Sequence, residues 1–206
     1  MTEPLGNLSI RPCTNVSIPP ARGPKSFVKN KVLRMLLPYY LRVHTVATLV
    51  MGLDGSTAKD GSSAGVLTNT DRERFLKRRR EFDCIIIGGN TARNERYAIT
   101  PCPLVVISRH PSNVLITNPN AYWWNLEPSA ALAKAKREFG PDILIEAGPN
   151  LLNEFLQAGL VDQLEISITP ITGGEYLIDL NDALRGFEII NDEKVEDTRF
   201  VTAKKR

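Results

Sequence analysis

The sequence predicts an α/β fold in which helices cover both faces of a mainly parallel central sheet. Apolar, strand-like segments alternate with helical segments at intervals of roughly 20–30 residues, which is typical of βα units. The middle strands are apolar throughout, which indicates that both of their faces are buried. The C-terminal segment, residues 188–206, instead alternates around a polar turn, and this predicts an antiparallel hairpin at one edge of the sheet.

The strands and helices follow from local patterns of apolar residues and from residues that favour helix ends. The predicted strands before the C-terminal hairpin lie at residues 40–50, 83–88, 103–109, 142–146 and 162–171. The predicted helices lie at residues 70–82, 127–140 and 149–160. Thr70 is expected to be the N-cap of the first of these helices, because its hydroxyl can accept a backbone hydrogen bond.

The N-terminal part of the chain differs in composition from the rest, and two parts are predicted: residues 1–37 and residues 38–206. The first is a basic, proline-rich arm with a short helix at residues 26–36. Residues 1–40 contain six Lys or Arg and one Glu, a net charge of +5, so the remainder carries −2 of the total of +3. The surplus charge lies in a Pro- and Ser-rich leader, which favours a solubilising arm over a nucleic-acid contact.

Composition excludes several classes of protein. No apolar run approaches the roughly 20 residues of a membrane span. Three scattered cysteines and two histidines, with no CxxC pair, predict no metal site and favour a reducing cytoplasm. The motifs GxGxxG and GK[ST] are absent, so a Rossmann fingerprint and a P-loop are not expected, and two histidines give little scope for a Ser-His-Asp triad.

The candidate functional residues follow the predicted strands, where parallel α/β sheets bind ligands. Glycines let backbone N–H groups approach a phosphate, and arginine binds it in bidentate fashion. Four strand ends with such residues favour a nucleotide site. In chain order these ends carry Asp54, then Gly88, Gly89 and Thr91, then Ser108 and Arg109, and finally Glu146, Ala147, Gly148, Pro149, Asn150 and Leu151.

Five segments together resemble the C-terminal reductase domain of the bifunctional riboflavin-biosynthesis deaminase/reductase, which has the dihydrofolate reductase-like fold. The segments are "MGLDGSTA" (51–58), "GVLTNTDRERF" (65–75), "DCIIIGGNTAR" (83–93), "PLVVISR" (103–109) and "ILIEAGPNLLNEFLQAGLVDQLEISITPITGG" (143–174). The resemblance implies an NADPH-dependent oxidoreductase that reduces the opened-ribose imine of a phosphoribosylamino-pyrimidine. It also implies a homodimer. The deaminase signatures HxE and PCxxC are absent, so deamination is expected from another protein.

The resemblance also implies roles for individual residues. The turns at residues 88–91 and 146–151 are expected to hold NADPH, with Ser108 and Arg109 at its 2′-phosphate. Asp54 and Glu146 are the candidate catalytic residues. Asp54 is expected to bind amino or imino groups and Glu146 to orient the nicotinamide or the substrate. The substrate is expected to contact Asp54 and three further residues, namely Thr68, Arg93 and Glu95.

Departures from the family pattern concentrate in the substrate half. Gly52 replaces a serine, Glu95 replaces an aspartate, Tyr97 replaces a proline, and Ala147 replaces a glycine. Two alternatives therefore stay open. One is a reductase of dihydrofolate or another pterin, which also needs a carboxylate for its amino-pyrimidine edge. The other is a nucleotide-binding protein without catalysis.

Overall fold

The structure is a computed structural model that describes residues 45–206. The predicted arm at 1–37, with its short helix, and the predicted domain start at 38 lie outside these residues. The strands are β1 Thr45–Gly52, β2 Ser56–Ala58, β3 Cys84–Gly88, β4 Leu104–Ile107, β5 Ala121–Trp124, β6 Ile143–Ile145, β7 Gln163–Thr169, β8 Glu175–Leu177, β9 Phe187–Val195 and β10 Thr198–Lys205. The α-helices are α1 Asn69–Arg78, α2 Gly89–Asn94, α3 Val114–Thr117, α4 Pro128–Glu138, α5 Pro149–Gln157 and α6 Leu180–Ala183.

The main sheet has eight strands in the order β5–β4–β3–β6–β1–β7–β10–β9. The six strands from β5 to β7 are parallel, and the β9–β10 hairpin joins β7 antiparallel at one edge. Strands β2 and β8 form a separate antiparallel pair. The predicted dihydrofolate reductase-like α/β fold, with its parallel centre and its antiparallel edge hairpin, is confirmed.

Helices pack against both faces of the sheet. On one face, Leu132 of α4 and Phe155 of α5 pack with inward residues of the central strands, such as Ile86 and Ile145. On the other face, Ala92 of α2 packs with Ile85, Ile87 and Leu144. Alternate residues of one strand therefore enter different cores, as the pleat requires, and both cores are apolar.

Helix α1 lies over β1 and β7 on the same face as α2, and it contacts polar side chains there. Arg78 forms an ion pair with Glu165 of β7, and the Arg74 guanidinium lies 4.3 Å from the ring centre of Phe200 in β10. The polar packing leaves room between the helix and the sheet. Among residues 45–206, none of the helices has both the length and the apolar character needed to cross a bilayer.

The expected N-cap of α1 is wrong by two residues. The helix begins at Asn69, and the hydroxyl of Thr68 accepts a hydrogen bond from the Asp71 N–H at 3.3 Å. Thr68 has the extended backbone that an N-cap needs, whereas Thr70 is already helical and donates its hydroxyl proton to Glu196. With Thr68 as the N-cap, Asp71 is the third residue of the helix, and its side chain shares a hydrogen bond with Ser167 of β7.

Candidate active site

A cleft of about 660 Å³ lies between α1 and the carboxyl-terminal ends of the central strands. Helix α1 and the short 3₁₀ helix Arg79–Glu81 form one wall, and residues after β3 and β6 form another. Strands β1 and β7 and the segment after β2 complete the lining. Because the parallel strands end at the same edge, residues distant in sequence meet here, as the sequence predicts.

The ends of β3, β4 and β6 pack closely together at two glycines, and the contact is closest at Gly89. A Cβ atom at Gly89 would lie 2.5 Å from the Ser108 Cβ, and one at Gly88 would lie 3.2 Å from the Leu151 Cδ2. At Gly148 the nearest atom to such a Cβ would be the Thr91 Oγ1, at 3.7 Å. A Cβ atom at Gly148 would therefore make only an ordinary van der Waals contact, whereas glycine at positions 88 and 89 allows the strand ends to pack together.

The structure brings some of the predicted site residues into the cleft and leaves others beside it. The predicted residues that line the cleft are Thr91, Glu95, Glu146, Ala147, Gly148 and Pro149. Gly88, Gly89, Ser108, Arg109, Asn150 and Leu151 belong to the adjoining strand ends, but their side chains do not line the cleft. Asp54, Thr68 and Arg93 also do not line it.

Glu146 is held by a buried ion pair at the end of β6. The Arg79 Nε donates to Oε1 at 2.8 Å, and Arg79 Nη2 donates to Oε2 at 2.6 Å. The Tyr97 hydroxyl donates to Oε2 at 2.8 Å. The two ionic side chains are only 8% and 3% exposed, so this bidentate pair is strongly directional.

The cluster of Arg79, Tyr97 and Glu146 also determines the charge states of Arg79 and Tyr97. Burial opposes the Arg79 charge, but the hydrogen bonds and the negative charge of Glu146 outweigh it and raise the pKa of Arg79. Burial, reinforced by the Glu146 charge, raises the pKa of Tyr97 well above its usual value. The guanidinium lies between the rings of Phe75 and Tyr97, at 4.1 and 4.7 Å from their centres. Arg79 therefore stays charged, and Tyr97 stays a neutral donor to Glu146.

Asp54 is an exposed residue in the turn after β1. Its Oδ1 accepts from the Ser56 hydroxyl at 2.7 Å and from the Ser56 N–H at 3.1 Å, and its Oδ2 accepts from the Gly173 N–H at 2.6 Å. These hydrogen bonds, led by that of the Ser56 hydroxyl, lower the pKa of Asp54 to about 2. The carboxylate thus holds two loops together and carries no proton near neutral pH. Its contact with the substrate stays a prediction.

The three other residues expected to contact the substrate have different surroundings. Glu95 lines the cleft, and its Oε1 accepts from the Ser63 N–H at 2.7 Å, which fixes the segment after β2. Thr68 caps α1 and shares a 2.7 Å hydrogen bond with Thr198. Arg93 is exposed, and its Nη1 would lie 3.3 Å from a Cβ at Gly89.

The substitution of glycine for serine at position 52 has a steric reason. A Cβ atom at Gly52 would lie 2.3 Å from the Ile171 carbonyl oxygen and 2.8 Å from the Ser56 Oγ. Leu53 also donates its N–H to the Ile171 carbonyl at 3.0 Å, so this carbonyl is held in place. The close approach of these two segments, at residues 52 and 171, therefore requires glycine at position 52.

Sequence reasoning missed several residues of the cleft. Arg79, Asp71 and Ser167 are buried in it, and Arg72 and Arg96 place exposed guanidinium groups along it. The run of basic residues at 77–80 gave no signal for which arginine turns inward. For Asp71, helical periodicity is a usable sequence signal, because residues 71, 75, 78 and 79 share one face of the helix.

The residues at the start of α5 fit a phosphorylated nucleotide. A Cβ at Gly148 would meet nothing closer than the Thr91 Oγ1 at 3.7 Å, and the first helical hydrogen bond of α5 is donated by Leu152 to Gly148. The N–H groups of Asn150 and Leu151 therefore precede the helical ladder and point from its N-terminal end. Within residues 45–206, no three His, Cys, Asp or Glu side chains form a group that could hold a metal ion.

The RibD C-terminal domain model matches residues 43–184, which is more than half of the chain. The chain belongs to the RibD C-terminal domain family. This match spans the segments after β1, β3, β4 and β6 that border the cleft. Comparison with the curated proteins by sequence found no match.

Solved structures with the same fold include a deaminase/5-amino-6-(5-phosphoribosylamino)uracil reductase from Thermotoga maritima (16% identity, TM-score 0.59) and RibD from Acinetobacter baumannii (19%, TM-score 0.61). The alignments cover 80% of this chain in both cases, and 57% and 58% of those chains. A pyrimidine reductase-like protein from Corynebacterium diphtheriae has 17% identity and a TM-score of 0.62, over 85% of this chain and 98% of its own. The chain thus spans little more than half of the first two relatives.

We expect Arg79→Met to lower the free energy of unfolding by about 3–5 kcal/mol, because it leaves the Glu146 carboxylate buried without its cation. Urea denaturation measures this loss. Arg80→Met is the matched control, because Arg80 is the exposed neighbour in the same turn. The double variant Arg79→Met/Glu146→Leu should recover much of the loss. A loss under about 1 kcal/mol for Arg79→Met would show that the pair is not needed.

Gly52→Ala is expected to lower the free energy of unfolding by about 1–3 kcal/mol, because its Cβ overlaps a fixed carbonyl. Gly148→Ala is the comparison, and its free energy of unfolding should stay within about 0.5 kcal/mol of the wild type because the added Cβ would make only an ordinary contact, 3.7 Å from the Thr91 Oγ1. Thermal and urea unfolding of both variants measure the difference. Equal effects at the two positions would contradict the steric explanation.

Proposed function

We propose that this protein is an NADPH-dependent reductase of a phosphoribosylamino-pyrimidine in riboflavin biosynthesis. The family match over residues 43–184, across a cleft at the strand ends, is the observation that carries the proposal. The Thermotoga relative is named for reduction of such a substrate, and the Corynebacterium relative is named as pyrimidine reductase-like. Both names concern those proteins, and the common fold makes the same class of reaction the best candidate here.

In the proposed reaction, a bound nicotinamide cofactor would supply the hydride that reduces the C=N carbon of the opened ribose, and the nitrogen would gain a proton. The protein's own residues would bind and orient the two reactants and exclude water from them. In this proposal the backbone of Gly148 and the N–H groups of Asn150 and Leu151 would hold the pyrophosphate, with the Thr91 hydroxyl beside them. Ser108, which packs against Gly89, and the following residue Arg109 would bind the 2′-phosphate.

Glu146 acts in this proposal as a fixed element of the cleft, because Arg79 and Tyr97 occupy both of its oxygens. It presents one defined geometry to a ligand and does not rotate to follow it. Arg72 and Arg96, exposed on the cleft wall, attract the substrate phosphate. A homodimer also stays a proposal, and the edge strand β9 exposes Ile189 and Ile190.

A pterin reductase is the second candidate, because a buried carboxylate, Asp71, lines the cleft and suits an amino-pyrimidine edge. Loss of nicotinamide absorbance separates the candidates when the enzyme receives either a phosphoribosylamino-pyrimidine or dihydrofolate. We expect turnover with the pyrimidine and a ribityl product. Turnover with dihydrofolate alone would replace the proposal with the second candidate. NADPH binding without turnover on either would indicate a non-catalytic nucleotide-binding protein.

Arg109→Ala is expected to weaken NADPH binding about tenfold and to leave NADH binding unchanged, because only NADPH has a 2′-phosphate for the guanidinium. Isothermal titration with both nucleotides measures the two dissociation constants. Arg137→Ala, an exposed arginine in the last turn of α4, is the control for the loss of one positive charge. If Arg109→Ala weakened the binding of NADPH and of NADH equally, Arg109 would not contact the 2′-phosphate.

A further inference from the structure

Tyr176 is an exposed aromatic residue of the cleft with no role in the function proposed above. It is the middle residue of the short strand β8, it lines the cleft, and it is 60% exposed. Because it lines the cleft and is also largely open to solvent, it lies at the rim. An aromatic side chain at the rim of a cleft is accessible to a ligand that binds there.

The backbone of Tyr176 is strained. Its φ is +56°, in the left-handed region that a residue with a bulky side chain rarely adopts. Among residues 45–206, Asp60 and Glu196 are the other residues besides glycines with such a φ, and each lies in the turn of a hairpin. Tyr176 instead lies between two paired residues of a strand. A turn therefore does not explain its conformation.

The surrounding contacts hold this conformation in place. The residues on either side of Tyr176 pair with Ala58 and Ser56 of β2. The Thr57 Oγ1 donates a hydrogen bond to the Tyr176 carbonyl oxygen at 2.9 Å. Strained backbone conformations persist only where the neighbouring structure fixes them, and they cluster at functional sites. The strain at Tyr176 therefore indicates a function for this residue.

Packing of the side chain does not account for the strain. In the part of the chain that the structure describes, three aromatic residues line the cleft, namely Phe75, Tyr97 and Tyr176. The Arg79 guanidinium lies over the rings of the first two, and Tyr97 is also buried. Among residues 45–206, the Tyr176 side chain contacts no other ring and no cation, and it forms no hydrogen bond. Its ring is therefore the aromatic surface that the cleft leaves open to a ligand.

We propose that the ring of Tyr176 stacks on the planar pyrimidine ring of the substrate. This inference rests on the proposed function and adds a substrate-binding residue to the same site. Aromatic side chains bind heterocyclic rings in this way because each ring presents a π-face.

The position of β8 favours the substrate over the nicotinamide nucleotide as the partner of this ring. Strand β8 pairs with β2, which follows β1, whereas the residues proposed to hold the pyrophosphate follow β3 and β6. In the sheet β1 lies beyond β6, on the side away from β3. Tyr176 therefore lies on the side of the cleft away from the proposed nucleotide phosphates. Its fixed backbone holds the ring before the substrate arrives, so that little conformational freedom is lost on binding.

The experiment measures KM and kcat for 5-amino-6-(5-phosphoribosylamino)uracil, with NADPH saturating, in the wild type and in two variants of Tyr176. Asparagine tolerates the left-handed backbone, so Tyr176→Asn removes the ring without adding strain. We expect this variant to raise KM about 10-fold, which is the order of the contribution that stacking makes to the binding of a base. Its kcat should stay within about twofold of the wild type, because the stack is present in both the bound substrate and the transition state. Tyr176→Phe keeps the ring and should restore the wild-type KM.

Leu177→Asn is the matched control, since it removes an apolar side chain from the same strand. Leu177 is 69% exposed and does not line the cleft. This variant should keep the wild-type KM. Thermal unfolding establishes that each variant is folded, and titration with NADPH should give the wild-type dissociation constant for all of them. If Tyr176→Asn proves unstable, Tyr176→Gly takes its place, because glycine adopts a positive φ freely.

The outcomes separate this inference from the proposed function. A wild type that does not reduce the pyrimidine contradicts both. An active wild type with an unchanged KM in Tyr176→Asn, or with an equally raised KM in Leu177→Asn or Tyr176→Phe, overturns the inference alone. A weaker NADPH affinity with an unchanged KM in Tyr176→Asn would mean that the ring contacts the cofactor, and this also overturns it. A raised KM in Tyr176→Asn, with the other two variants like the wild type, supports it.

Discussion

The parallel pairing of β4, β3, β6 and β1 is the constraint on which the rest of the structure depends. Their register places Gly88 of β3 beside Ile107 of β4, and Ile86 of β3 beside Ile145 of β6. The residues that follow each strand therefore leave the sheet at one edge. Every feature of the candidate site, from the glycine contacts to the ion pair, is a consequence of this alignment.

The ion pair between Arg79 and Glu146 connects this edge to the end of α1. Helix α1 otherwise contacts the sheet through polar groups, and such a helix is not fixed by apolar packing alone. A bidentate buried pair restricts both side chains to one geometry, and Tyr97 adds a third fixed contact. These three side chains thus join the end of α1 to the end of β6 across one wall of the cleft.

Much of the fold followed from the sequence because its signals were local. Apolar runs at residues 83–88 and 142–146 predicted β3 and β6, and Pro149 predicted the start of α5. The strand β5 and the small sheet of β2 and β8 were not predicted. Each is three or four residues long and is stabilised by a partner distant in sequence, which periodicity does not detect.

Sequence reasoning identified the cleft residues that lie in turns directly after strands. It missed the cleft residues whose position depends on how the helices and strands pack. Gly148 and Thr91, which line the cleft, were predicted as site residues because glycine and hydroxyl residues after a strand are typical of phosphate-binding turns. Asp71 was not predicted as a site residue, because its burial against Ser167 depends on how α1 meets β7. For the same reason, the sequence did not show that Glu146 is already paired with Arg79.

A crystal structure of the protein with NADPH tests the central claim most directly, since that claim is that the joined ends of β3, β4 and β6 hold the nucleotide. The account predicts pyrophosphate density against Gly148, Asn150 and Leu151, with the 2′-phosphate beside Ser108 and Arg109. Nucleotide density at another surface, or a cleft without nucleotide at a saturating concentration, would contradict it.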